Sequence, residues 1–339
     1  MTGNLRAGVI GAGSLGTGLG EAMQDRPGAD VIALADVSEE NRARAGQRLD
    51  VPAASCYEDY KAMLDAGGLD AVMIATPHAL HYDQAVAAMQ RDLHVLCEKP
   101  LTTDLADGRD LVGRDESRDE IFQVGYQRHI EGPFVAARDR IAEFDDPPAF
   151  VTAEITQNWI QHASGTWRTD PDLSGGGQLY DTGSHVIDAV LWTTGLEPTA
   201  VTASMVFWDE DPSVDIQATL TVEFAEDAVA TIAVSGDSPV VREHHRYWGD
   251  DGGVYIDGRG WNDRETHFVD PDGAERFPGV ADTYSNKVAA FVDSIREGTG
   301  SVATPRHALA VTAVTEAAYE SAKTGERVEL DLHPVGRNG

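Results

Sequence analysis

Cysteine, lysine and long apolar runs are scarce in this chain, and each scarcity excludes something. Two cysteines, Cys56 and Cys97, in 339 residues cannot make a disulfide framework, and they fit a reducing cytoplasm. No apolar run approaches the length needed to cross a bilayer, so no membrane partner is expected. The opening residues Met1-Thr2-Gly3-Asn4-Leu5-Arg6 lack the basic start and apolar middle of a signal peptide, and a cytoplasmic location is expected. Lysine occurs four times only, at Lys61, Lys99, Lys287 and Lys323. Lys plus Arg comes to 26 against 57 Asp plus Glu, a formal net charge of −31, and no basic stripe exists to track a phosphate backbone. A nucleic-acid partner is therefore not expected. The acids are dispersed, as in Asp115-Glu116, and form no acidic tail. Such a surface resembles that of a salt-adapted protein, because in molar salt the Debye length falls to about 3 Å and self-repulsion is screened. Dilute buffer is expected to lower the melting temperature relative to molar KCl.

What is present points to two domains. The length exceeds that of one ordinary hydrophobic core, and 42% apolar content with no low-complexity tract marks a globular chain. Up to about residue 126, short apolar runs (5–10, 30–36, 70–75, 93–97, 121–124) alternate with helix-like segments (14–25, 38–48, 57–66, 79–91, 102–114). Such alternation means βαβ units and a doubly wound parallel sheet. Beyond it the rhythm changes. Strand-like runs at 148–157, 199–208, 214–224, 228–235, 240–248 and 252–257 predict a mostly antiparallel sheet, with helices near 176–194, 282–296 and 305–323. The expected class is α/β, a Rossmann domain over 1–126 followed by an α+β domain over 127–339.

The first chemical motif is the loop Gly11-Ala12-Gly13-Ser14-Leu15-Gly16, between a strand and a helix. Gly11 permits a tight turn, Gly13 lets backbone approach a pyrophosphate, and Gly16 allows close helix–strand packing. The helix start, with the amides of Ser14 and Leu15, faces phosphate with free N–H groups and a positive dipole end. The spacing alone is weak, but Asp36 follows at the end of the second strand, where a carboxylate accepts the adenosine ribose hydroxyls. A helix-entry acid is the plainer reading of Asp36. A carboxylate there repels a 2′-phosphate, and Val37 and Ser38 follow it, which favours NAD. Arg42 and Arg44 are near enough to keep NADP open.

Two further segments sit where parallel strands end, the edge at which open α/β sheets bind ligands. Ala75-Thr76-Pro77-His78-Ala-Leu-His81 reads as a wall of the cofactor crevice; its H-x-x-H spacing lacks acidic or cysteine partners for a metal, and none is expected. Cys97-Glu98-Lys99-Pro100 places a rare lysine where it can polarise a substrate oxygen. A salt bridge between Lys99 and Glu98 is the plainer alternative. Further on, Gly175-Gly176-Gly177 precedes Asp181 and His185, which are i and i+4 and share a helix face. The acid can orient the imidazole as a general base, and the glycines let backbone approach a ligand. A helix-start acid beside a packed histidine is the competing view. Trp159, Trp167 and Arg168 lie in the preceding loop, as pocket lining or as ordinary packing.

Taken together, these motifs resemble the family of glucose–fructose oxidoreductase and inositol dehydrogenase. The likeness runs from Gly11-x-Gly13-x-x-Gly16 through Ala75-Thr76-Pro77 with His81, Glu98-Lys99-Pro100, Trp167-Arg168 and Gly175-Gly-Gly with Asp181-x-x-x-His185. It ends at Glu316-Ala-Ala-Tyr-Glu-Ser-Ala. The resemblance implies a Rossmann domain, then a domain whose large open sheet mediates a homodimer or homotetramer. It implies Lys99 as catalytic lysine, His185 as acid/base and Asp181 as its carboxylate partner. His78 departs from the family, where Asn often follows Thr-Pro. The expected chemistry is hydride transfer between NAD or NADP and a CH–OH group of a sugar, sugar derivative or cyclitol. Lys99, Trp159, Trp167, Arg168, Asp181 and His185 would be the substrate contacts. The cofactor contacts would be Gly11, Gly13, Ser14, Leu15, Gly16, Asp36, Ala75, Thr76, Pro77, His78, His81, Glu98 and Lys99. The alternatives are a non-catalytic cofactor-binding regulator and another reductase or NAD-dependent glycosidase on the same scaffold.

Overall fold

The computed structural model describes residues 4–208 and 213–332. They divide into two compact units. The first contains residues up to Gln127 together with Tyr284–Ala308; the second contains Arg128–Thr283 and continues from Leu309.

The first unit is a six-stranded parallel sheet. Its strands are β1 (Leu5–Ile10), β2 (Ala29–Ala35), β3 (Cys56–Tyr57), β4 (Ala71–Ile74), β5 (His94–Cys97) and β6 (Phe122–Val124), in the order β3-β2-β1-β4-β5-β6. The order reverses between β1 and β4, which makes their carboxyl ends the ligand-binding edge of a doubly wound sheet. Helices α1 (Ser14–Gln24), α2 (Glu39–Arg48), α3 (Tyr60–Ala66), α4 (His81–Met89) and α5 (Leu105–Asp115) connect them. Side-chain caps at Ser38, Asp59 and Asp104 start α2, α3 and α5. By contrast α1 starts at Gly13 with no side-chain cap and no acid in its first turn.

One later helix belongs to this unit rather than to the second domain expected for 127–339. Lys287–Glu297 carries the stripe Val288, Phe291, Val292 and Ile295, which joins Leu5, Val9, Leu19 and Met23 in one buried core. The i, i+3, i+4, i+7 spacing shows a buried face, but a spacing cannot say which core receives it.

In the second unit a nine-stranded sheet is built from β7 (Phe150–Thr156), β8 (Pro198–Phe207), β9 (Asp215–Phe224), β10 (Val229–Ser235), β11 (Arg242–Gly249), β12 (Gly252–Arg259), β13 (Arg264–Val269), β14 (Glu275–Arg276) and β15 (Val328–Glu329). The order is β14-β13-β12-β11-β7-β10-β9-β8-β15, antiparallel except for the β7–β10 pair. Alternate side chains face helices α6 (Gly132–Ile141) and α9 (Ser184–Thr194), while Thr152, Glu154, Thr231, His244 and Arg246 face outward. Short helices α7 (Trp159–Ala163) and α8 (Pro171–Ser174) lie between β7 and α9. The expected helix over 176–194 begins as a π-helical turn, Leu179–Gly183, before becoming α9.

Neither α6 nor β13 has a counterpart among the elements expected from the sequence. Gly132-Pro133 has the composition of a turn, yet proline in the first helical turn is a favourable start. Strand β13 is polar, and a buried ionic cluster explains it. Arg128 is fully buried and donates to both oxygens of Glu243, at 3.1 and 2.7 Å, while Arg264 of β13 donates to the same carboxylate. Burial alone would raise the Glu243 carboxyl, but the charge of Arg128, with Arg264 and His245, holds it well below the usual carboxylate range.

Candidate functional site

At the end of β1 the three loop glycines have three different surroundings. Gly11 has φ +86°, and a Cβ there would lie 2.8 Å from the Ala75 carbonyl group and from Thr76 Cγ2. A Cβ at Gly16 would run into the Gly11 carbonyl oxygen. At Gly13, however, nothing among the described residues lies within 4 Å of a Cβ. The first two glycines pack protein against protein; the third faces open space. The N–H groups of Ser14, Leu15 and Gly16 precede the first helical bond, which runs from Thr17 N to Gly13 O. A bare helix start beside an open glycine fits a pyrophosphate.

Asp36 follows β2 with its carboxylate already oriented. It accepts from the Ser38 amide at 2.8 Å and from Asn41 Nδ2 at 3.2 and 3.3 Å. Both nearby arginines have other commitments. Arg42 donates to the Asp36 carbonyl (2.7 Å), and Arg44 to Asn41 Oδ1 (2.7 Å).

The segments after β4 and β5 are tied to one another by a side chain. His81 is fully buried, with Nδ1 2.8 Å from the Pro100 carbonyl and Nε2 3.0 Å from the Thr76 carbonyl. Burial pushes its pKa down although both carbonyls favour the protonated ring. Its side chain thereby clamps the Thr76-Pro77 loop to the Lys99-Pro100 loop. Thr76 Oγ1 donates to Gln84 (2.7 Å). His78 is nearly buried, its ring centroid 5.9 Å from that of His81. Glu98 is also buried, and its carboxylate pairs with Lys287, from the helix that completes this unit. Lys99 is half-buried where β5 ends, and the Lys99–Pro100 bond is cis.

The glycine run of the second unit behaves differently from the expectation that it admits a ligand. A Cβ at Gly176 would collide with the Tyr319 hydroxyl, and one at Gly177 with the Asp215 backbone. The buried Asp215 carboxylate accepts from the amides of Gly177 (3.1 Å) and Leu179 (3.0 Å) and from the Tyr319 hydroxyl. Burial raises the Asp215 carboxyl to about 6, against the pull of those donors. The run is close because protein fills it. The knot also explains the closing Glu316–Ala322 segment, whose Tyr319 supplies the hydroxyl.

That knot fixes the turn carrying Asp181. Its Oδ2 accepts from Trp159 Nε1 at 2.8 Å and Arg168 Nε at 3.0 Å, and Arg168 lies 4.5 Å from the Trp167 ring centroid. Four of the expected substrate contacts, Trp159, Trp167, Arg168 and Asp181, are thus one connected group. Asp181 sits in the π-helical turn and His185 in the first turn of α9, where it is buried to 9% exposure. Asp215, Tyr319, Lys287 and Gln157, whose amide donates to Gln178 at 3.0 Å, were not singled out from the sequence. Only the Tyr319 segment carried a signal, as part of a motif.

A parallel sheet with an open-glycine helix start and an oriented carboxylate after the second strand defines a dinucleotide-binding domain of the Rossmann type. Comparison with known proteins specifies it. Residues 5–126 match the model of an oxidoreductase family with an NAD-binding Rossmann fold, and residues 147–255 match the GFO/IDH/MocA C-terminal domain. The chain is 30% identical to inositol 2-dehydrogenase of Arthrobacter sp. (strain FB24), over 98% of each. It is 27% identical to D-xylose 1-dehydrogenase (NADP(+)) 2 of Haloferax volcanii, over 89% of this chain and 92% of that one. Among solved structures, aldose-aldose oxidoreductase from Caulobacter crescentus, complexed with glycerol, has the same fold, with a TM-score of 0.83 at 22% identity over 96% of this chain and 100% of that one. The chain belongs to the GFO/IDH/MocA oxidoreductase family.

Proposed function

We propose that the chain oxidises a secondary alcohol or hemiacetal of a sugar, sugar derivative or cyclitol, with NAD preferred over NADP. The observation that carries this reading is the pairing, in one unit, of an open-glycine cofactor loop with a lysine at the end of β5. Relatives named as inositol and xylose dehydrogenases support the substrate class. NAD(P)+ supplies the hydride acceptor when bound. Ser14, Leu15 and Gly16 would hold the pyrophosphate with their amides, and Asp36 the adenosine ribose. The commitments of Arg42 and Arg44 support the preference for NAD.

Lys99 hydrogen-bonds the reacting oxygen and stabilises negative charge developing there. His185 takes the hydroxyl proton as the carbonyl forms, help worth about 100- to 10,000-fold. Asp181, preset by Trp159 and Arg168, orients His185 or holds a neighbouring hydroxyl. The open face of the second sheet, small and polar around Thr152, Thr231 and Ala233, fits self-association into a homodimer or homotetramer. No helix among the described residues is long and apolar enough to cross a membrane.

The test is a screen in high salt with NAD or NADP against pentoses, hexoses and inositols, following reduced nicotinamide. Turnover with at least one, faster with NAD, is expected. Cofactor binding without reduction of any of them would favour the regulator reading instead.

A further inference from the structure

The second unit contains an open pocket of about 450 Å3 that adjoins the groups holding Asp181 and has neither Asp181 nor His185 in its lining. It lies within the range of small-ligand sites, about 300–1,000 Å3. Asn158, His162 and Arg168 supply polar groups to it, while Trp159, Val240 and Trp261 supply apolar surface. Two of these, Trp159 and Arg168, hold the Asp181 carboxylate. Neither Asp181 nor His185 lines the pocket. A ring seated there is therefore beside the acid–base pair and is not the ring that reacts.

The apolar wall is held in place. Trp261 stands 39% exposed at the tip of the turn between β12 and β13, which closes with the Arg259 amide donating to the Asp263 carbonyl at 2.7 Å. The Trp261 carbonyl accepts from Arg264, whose side chain is buried in the Glu243–Arg128 cluster. The neighbouring loop is tied by Gly260 N to Val241 O (3.2 Å) and by Thr156 Oγ1 to Val240 O (3.1 Å). An indole 39% exposed on so fixed a turn offers surface to a flat apolar face.

The charges narrow the ligand. Arg168 is neutralised by Asp181, and a chain of net charge −31 repels anions. Aromatic faces beside a few hydrogen-bonding groups suit an uncharged polyhydroxylated ring.

We propose that this pocket is a subsite for a second, neutral sugar ring, so that the substrate is a glycoside or disaccharide rather than a free monosaccharide. The proposal rests on the sugar or cyclitol reading above, and binding separates the two. Calorimetry on the full chain in high salt, without added cofactor so that no turnover occurs, would compare cellobiose and maltose with glucose, and glucose 6-phosphate as a charged control. A two-ring sugar is expected to bind at least about tenfold more tightly than glucose. Trp261→Ala is expected to abolish that advantage while leaving glucose binding within about twofold, and Trp261→Phe to restore most of it. Because the turn is held by backbone bonds, the variant keeps its shape, which an unchanged melting temperature would check. No two-ring advantage in the native chain, an advantage that survives Trp261→Ala, or tighter binding of the phosphorylated sugar would each overturn the subsite. Absence of turnover with every sugar would instead count against the dehydrogenase reading.

Discussion

The two glycine segments of this chain look alike as letters and serve opposite ends. In Gly11–Gly16 one position, Gly13, opens onto empty space at an uncapped helix start. At Gly176 and Gly177 the space where side chains would stand is occupied by Tyr319 and Asp215. The first is built for something that is not protein; the second is built to let two parts of the same unit touch. A glycine run therefore marks close approach, and only its surroundings say what approaches.

Substitutions should separate the two cases. Gly177→Ala brings a methyl into the Asp215 backbone, which has no flexible end to yield. A loss of more than about 3 kcal/mol of stability is expected, measurable by denaturant unfolding, with a variant of native stability contradicting the packing role. Asp215 gives an effect of similar size that depends on pH. Its folded-state pKa of about 6 lies above the ordinary 3.8, so the folded chain keeps a proton that the unfolded chain releases. The stability it contributes is full below about pH 4 and is lost as pH rises through about 6, a change of the order of 3 kcal/mol. Relative to Asp215→Asn, the native chain should lose melting temperature across that window; a difference that stays constant with pH would contradict this. The smallest change is expected at Gly13→Ala. Nothing crowds the added methyl, so the melting temperature should stay put, while the dissociation constant for NAD rises by about tenfold or more. Unchanged affinity would mean that no ligand comes close there.

Much of the first unit is legible in the sequence because a buried parallel strand and its following helix carry local signals. The strand ends that place Gly11, Asp36, Thr76 and Lys99 fall within a residue or two of expectation. Where local pattern is silent, partners decide. The apolar stripe of Lys287–Glu297 shows a buried face without naming the core it joins. The spacing of His78 and His81 is the same whether the second ring meets a ligand or two carbonyls; only its complete burial distinguishes them. Charged residues ordinarily read as surface, so the Arg128–Glu243–Arg264 cluster that fixes β13, and through it Trp261, left no trace in hydrophobic pattern. The spacing of Asp181 and His185 is that of one helix face, but it does not show that a π-helical turn, Leu179–Gly183, carries the first of them.

Lys99 offers the most direct test of the account. Lys99→Met keeps the length and much of the volume of the side chain while removing its charge and its hydrogen bond. With the best sugar or cyclitol substrate of the native chain, kcat is expected to fall about 100- to 10,000-fold, with melting temperature and NAD affinity nearly unchanged. A folded Lys99→Met variant that binds NAD and turns over at the native rate would contradict the claim that this site transfers hydride with the help of Lys99.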